Sequence, residues 1–114
     1  MYPKTGRQDH LERAMGLFQR SIELDPGNAQ AHYGLGMAYL GSHDIDRAIV
    51  QWEHVVELIP DDVMTLFNLG RAYFEKGDKV RALDYLVRLK NDFFHRIPEG
   101  MKQTVEDLIK KCKE

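Results

Sequence analysis

Five histidines (His10, His32, His43, His54, His95), one cysteine and eighteen carboxylates are the side chains that could bind a metal or move a proton. Zinc needs Cys and His ligands gathered at short, helix-compatible spacings. The histidines show no such pairing with one another and Cys112 stands alone, so no metal ligand set emerges and each histidine reads as a surface or loop residue. Two neighbouring carboxylates can share acid/base work when burial drives their pKa values apart. Asp61 and Asp62 follow Pro60 at the start of a helical segment, where capping accounts for them. Gly34-Leu35-Gly36 is a fragment of a phosphate-loop pattern lying within a helix, and neither GxSxG nor a glycine-rich loop before a helix occurs. The sequence therefore offers no catalytic, cofactor-binding or metal-binding residue, and the chain is expected not to be an enzyme.

What the residues do show is a repeat. Arg13, Arg47 and Arg81 are 34 apart, as are Ala14, Ala48 and Ala82, and the same shift relates Leu35 to Leu69, Gly36 to Gly70, Tyr39 to Tyr73, Asp44 to Asp78 and Pro26 to Pro60. Phe18, Trp52 and Leu86 keep a large apolar group in one register. A period of this length belongs to helical-hairpin arrays, in which each unit buries its apolar face against its neighbours. Pro26 and Pro60 end helices, since proline lacks a backbone donor and disfavours helix in the residue before it. Asp44 and Asp78 are placed to cap second helices, and Asn28 and Asp62 to cap first helices, each cap contributing about 1 kcal/mol. The pattern predicts six helices, at 9–24, 29–41, 45–58, 63–76, 79–92 and 98–113, and no strand. Gly36 and Gly70 are expected to lie where Ala48 and Ala82 approach from the paired helix, with Tyr39 and Tyr73 filling space between repeats.

Composition sets bounds on partners. At 114 residues, with 43% hydrophobic and 30% charged residues, the chain can build one packed domain. A net charge of −2 gives no general attraction to nucleic acid or anionic lipid, although residues 21–70 sum to −7 and residues 71–114 to +3. No apolar run is long enough to cross a bilayer and Met1–His10 has no signal core, so a cytoplasmic protein without membrane insertion is expected. Cys112 falls on an apolar helical stripe and reads as a buried, unreactive thiol.

Leu35-Gly36, Tyr39, Ala48, Trp52 and Pro60, echoed by Leu69-Gly70, Tyr73, Ala82 and Leu86, resemble the tetratricopeptide repeat. The resemblance implies an all-α helical-hairpin repeat solenoid, a superhelix of about six helices in a single domain over 1–114. Residues 9–28 match the second helix of an incomplete repeat, 29–62 and 63–96 are repeats, and 98–113 is a C-terminal capping helix. That last segment carries Met101, Val105, Leu108, Ile109 and Cys112 on one stripe, as a terminal cap should. The chain departs from the family at Val55 and Leu89, which replace small residues, at Phe94, which replaces the terminal proline, and in the first helix expected before 9–24.

In this family the first helices of the repeats line a concave groove that receives extended peptides or partner helices. Carried onto this sequence, the resemblance assigns that surface to Gln30, Tyr33, Met37 and Leu40 of one repeat and Met64, Phe67, Asn68, Arg71 and Phe74 of the next, with Lys102 completing it. Gly34 stands among them. Asn68 and Lys102 fall where chaperone-binding members place part of a clamp for a C-terminal carboxylate, and Gly34 where that clamp needs another asparagine. The expected function is a protein-interaction module or scaffold, an adaptor binding a peptide or helix of a partner protein without a cofactor. The alternative is a structural unit that forms a homo-oligomer through the uncovered stripe Leu11, Ala14, Met15, Phe18 and Ile22.

Overall fold

The computed structural model describes residues 6–114. Residues 1–5, which hold half of the stretch read as lacking a signal core, lie outside the described residues. Six helices follow one another: α1 (Gly6–Leu24), α2 (Ala29–Gly41), α3 (Ile45–Leu58), α4 (Val63–Glu75), α5 (Lys79–Phe93) and α6 (Glu99–Lys113), with a 3-10 turn at Phe94–Arg96 between the last two. Among the described residues there is no strand. The fold is all-α and built of helical hairpins. The helices form two compact units, one ending at Ile59 and the other beginning at Pro60. In the first, α2 packs against both α1 and α3; in the second, α5 packs against α4 and α6, and α4 also touches α6.

Local chemistry explains the boundaries. Asn28 Oδ1 accepts from the amide of Ala31 at 3.1 Å, Asp44 from that of Arg47 at 3.2 Å and Asp78 from that of Arg81 at 3.1 Å. Asp62 departs from the expected pattern: no helix amide reaches its carboxylate, which instead accepts from Thr65 Oγ1 at 2.7 Å. Thr65 is fully buried, and a buried hydroxyl needs a partner, so it takes the acceptor that the amide would have used. Between the helices of each hairpin, His43 and Gly77 occupy equivalent places with φ of 65° and 85°. With Phe94 in place of a helix-ending proline, α5 runs through Phe93 and tightens into the 3-10 turn.

The hairpins close on their glycines. A Cβ at Gly36 would lie 2.7 Å from Trp52 Cδ1, and one at Gly70 2.7 Å from Leu86 Cγ. The glycines therefore make room for Trp52 and Leu86, and Ala48 and Ala82 on the same helices are completely buried. Truncating Trp52 to alanine would cost about 3–5 kcal/mol. Tyr39 does link successive repeats, its hydroxyl accepting from Gln19 of α1 at 3.4 Å. Tyr73 stacks on Tyr85 of its own hairpin with ring centroids 5.9 Å apart.

His32 is not the surface residue its isolation in the sequence suggested. It is 7% exposed, with Nδ1 2.8 Å from Gln51 Oε1 and Nε2 3.0 Å from the Pro26 carbonyl. It ties the loop before α2 to α3, and the His54 ring lies 5.0 Å from its own. In the second unit, Val105, Ile109 and Cys112 of α6 are buried, and Lys90 of α5 pairs with Glu106 at 3.1 Å.

Candidate interaction surface

The residues expected to meet a partner lie on first helices, at positions one repeat apart: Gln30 and Met64, Tyr33 and Phe67, Met37 and Arg71, Leu40 and Phe74. Spacings of four and three keep each row on one face of its helix.

In the first unit the row on α2 is open and apolar. Gln30 is exposed, Tyr33 half-buried, and Met37 and Leu40 are 42% and 38% exposed. No charged residue interrupts it. A cleft of about 530 Å³ opens elsewhere in this unit, between the start of α1 and the turn after α2, lined in part by Leu11, Met15, Gly41 and His43. None of the four α2 residues lines it.

In the second unit the row is mixed. Met64 is 41% exposed and Arg71 is exposed, while Asn68 and Phe74 are half-buried. Phe67 is only 7% exposed, so its ring belongs to the core and supports the surface from below. Arg71 spreads over that ring with its guanidinium 5.7 Å from the centroid, and pairs with Glu75 at 3.9 Å. Lys102 of α6 is half-buried, its Nζ 4.6 Å from the centre of the Phe94 ring and 2.7 Å from Glu99 Oε1. An ammonium against a ring face is attracted by the ring's quadrupole, and the carboxylate fixes its direction.

The α6 side of this surface rests on two residues absent from the expected set, Phe94 and Glu99. Phe94 is 38% exposed. The only signal was its occurrence where the repeat elsewhere has proline, which marks a departure without saying what the ring would touch. Nearby, Arg96 Nη1 lies 2.9 Å from Asp61 Oδ2, and this hydrogen bond holds the Asp61 carboxyl below the usual carboxylate value. That pair fastens the 3-10 turn to the chain just before α4.

Among the described residues no group of three or more His, Cys, Asp or Glu side chains is arranged to hold a metal ion. No helix among them is long and apolar enough to cross a membrane.

Comparison with known proteins follows the same lines. Two models of the tetratricopeptide repeat match, one over residues 17–50 and the other over residues 64–93. No curated protein sequence matches the chain. Among solved structures, the Yersinia enterocolitica type III secretion translocator chaperone SycD superimposes with a TM-score of 0.79 at 18% identity, over 92% of this chain and 73% of that one. SycD in complex with a peptide of the translocator YopD gives 0.78 at 18% identity, over 92% and 81% of the two chains. An alternative dimer of SycD gives 0.75 at 20% identity, over 92% and 80%. At these identities the likeness is one of fold. The repeated landmark residues, the helical hairpins and the two matching models together establish that this chain belongs to the tetratricopeptide repeat family.

Proposed function

We propose that the chain is a non-enzymatic interaction module whose first-helix faces hold a peptide or helix of a partner protein. The observation that carries this reading is the set of large apolar side chains left open on α2 and α4: Met37, Leu40 and Met64. Met37 and Leu40 lie three apart on one face of α2, and exposed apolar groups so aligned mark contact surfaces more often than isolated ones do. Methionine adapts its shape to varied ligands, which suits a site that recognises an extended segment. The peptide complex of the structurally similar SycD supports the same mode of use for this fold. On this reading Gln30, Tyr33, Met37 and Leu40 form one contact row. Met64, Asn68, Arg71, Phe74 and Lys102 form the other, with Phe67 as its floor.

A phage-displayed library of twelve-residue peptides, selected on the immobilised chain, tests the proposal. Selected peptides should lose at least tenfold in affinity for Met37→Asp or Arg71→Glu, while both variants keep the helicity and melting temperature of the parent. Selected peptides that bind both variants as well as the parent would place recognition on another surface and overturn the reading.

A further inference from the structure

The first helices of the two units are nearly empty of charge. Charged residues make up 30% of the chain, and α1, α3, α5 and α6 each carry between four and seven. α2 carries none in 13 residues, and α4 only Arg71 and Glu75. Burial does not account for this, because the exposed positions Gln30, Met37 and Leu40 of α2 and Met64 of α4 are uncharged as well. The solvent side of a helix ordinarily carries its charged residues.

The cations that border the second row are already engaged. Lys102 keeps 21% of its side chain exposed, with Nζ 2.7 Å from Glu99 Oε1 and against the Phe94 ring. An acidic ligand would have to displace Glu99 to reach it. Arg71 lies over the Phe67 ring and faces Glu75, one turn along α4, at 3.9 Å. That pair is open to water and adds little stability, yet its opposite charges leave the row with no net charge. On α2, Gly34 offers no side chain and the ring of Phe18 fills the space beside it.

We propose that these faces accept an uncharged, apolar segment of the partner and reject segments with acidic or basic residues on the contacting side. This rests on the reading that the first helices are the contact surface, and adds which segment they take. The cause is desolvation. A carboxylate or ammonium laid against Met37 and Leu40 gives up its water and meets no opposite charge, whereas an apolar side chain gains by the same burial. Against the second row it meets a cation and an anion already paired, and must break the pair to gain a partner. Selectivity of this kind comes from rejecting the wrong ligand as much as from holding the right one.

The probes are the twelve-residue peptides selected on the immobilised chain, synthesised with a fluorescein label. Each residue is replaced in turn by alanine, glutamate and lysine, and affinity is read by anisotropy. Where alanine costs most, both charges should weaken binding about tenfold or more and to a similar extent. The affinity of the unsubstituted peptides should change less than about twofold between about 0.05 and about 0.5 M salt. Glu99→Gln, which unpairs Lys102, and Met37→Lys, which adds a cation to the α2 row, should each readmit glutamate but not lysine at one position or more. Residues 37 and 99 are exposed, so both variants should fold, and circular dichroism checks this. Peptides that need a charged residue, or that weaken about fivefold or more with salt, overturn the proposal while leaving the contact surface standing, provided that Met37→Asp still changes their affinity. Glutamate excluded by both Glu99→Gln and Met37→Lys also overturns it, since the exclusion would not then come from a missing opposite charge. Peptides that bind Met37→Asp and Arg71→Glu as well as the parent, or a library that yields none, overturn this proposal and the reading beneath it together.

Discussion

The ring tip of Phe18 rests on Gly34, with Cε1 2.6 Å and Cε2 2.8 Å from the place a Cβ would occupy. Trp52 and Leu86 use the same register to close their own hairpins, whereas Phe18 joins α1 to the repeat that follows. Gly34→Ala must therefore push the ring aside, and we expect a loss of about 1–3 kcal/mol in urea unfolding. An unchanged midpoint would show that α1 yields without resistance and that this contact does not hold it.

Gly16, on the same helix, has nothing within 4 Å of its missing Cβ and sits mid-helix on the exposed side. A glycine there brings only its conformational freedom, so Gly16→Ala should stabilise the protein by about 0.5–1 kcal/mol. The opposite signs expected for two glycines of one packing arrangement test the geometry more sharply than either does alone.

His43 adopts the left-handed backbone that its counterpart one repeat later reaches with Gly77. A side chain is strained there, and His43→Gly should raise the melting midpoint by an amount equivalent to a few tenths to about 1 kcal/mol. A fall in stability would mean that the imidazole makes contacts outweighing the strain.

These expectations indicate where sequence and structure part. The helices were readable because three registers of Ala, Pro and large apolar residues fix their phase independently. The individual contacts were not, since a period says which residues are equivalent and not what fills the space beside them. Phe67 shares its register with the more exposed Tyr33, yet it is buried. Asp62 shares a position with Asn28, yet the Thr65 hydroxyl claims its carboxylate. The Lys102 contact needed Phe94, a residue of the irregular turn where the repeat pattern no longer applies.

The Asp61–Arg96 pair carries a pH signature. The folded-state pKa of Asp61 is lowered, first by the hydrogen bond from Arg96, so its contribution is present above the unfolded carboxylate pKa and is lost as pH falls through the folded one. Asp61→Asn should therefore differ from the parent in stability at pH 7 and converge with it in acid. A difference that persists below the folded pKa would assign the effect to packing of the 3-10 turn rather than to charge.

Burial pushes the Cys112 thiol above its ordinary pKa, although the nearby positive charge of Lys79 acts the other way. Little thiolate forms at neutral pH, and the thiolate is the form that reacts. Modification by a disulfide reagent should be about a hundredfold slower in the folded protein than in denaturant, and should track opening of α6. Rapid labelling of the folded chain would mean that α6 is not seated on its hairpin.

The environment of His32 permits one consistent arrangement of protons in the neutral ring. The Pro26 carbonyl can only accept, so Nε2 must carry the hydrogen that bridges the 3.0 Å between them. Nδ1 is then an acceptor, and Gln51, 2.8 Å away, satisfies it only by presenting its amide nitrogen; the two ends of a carboxamide are interchangeable in shape. Two-bond nitrogen–proton correlation spectra above the histidine titration should show the Nε2–H form of His32. Gln51→Leu should leave the buried Nδ1 unsatisfied and cost about 1–3 kcal/mol. Finding the Nδ1–H form would mean that the link to Pro26 is broken in solution.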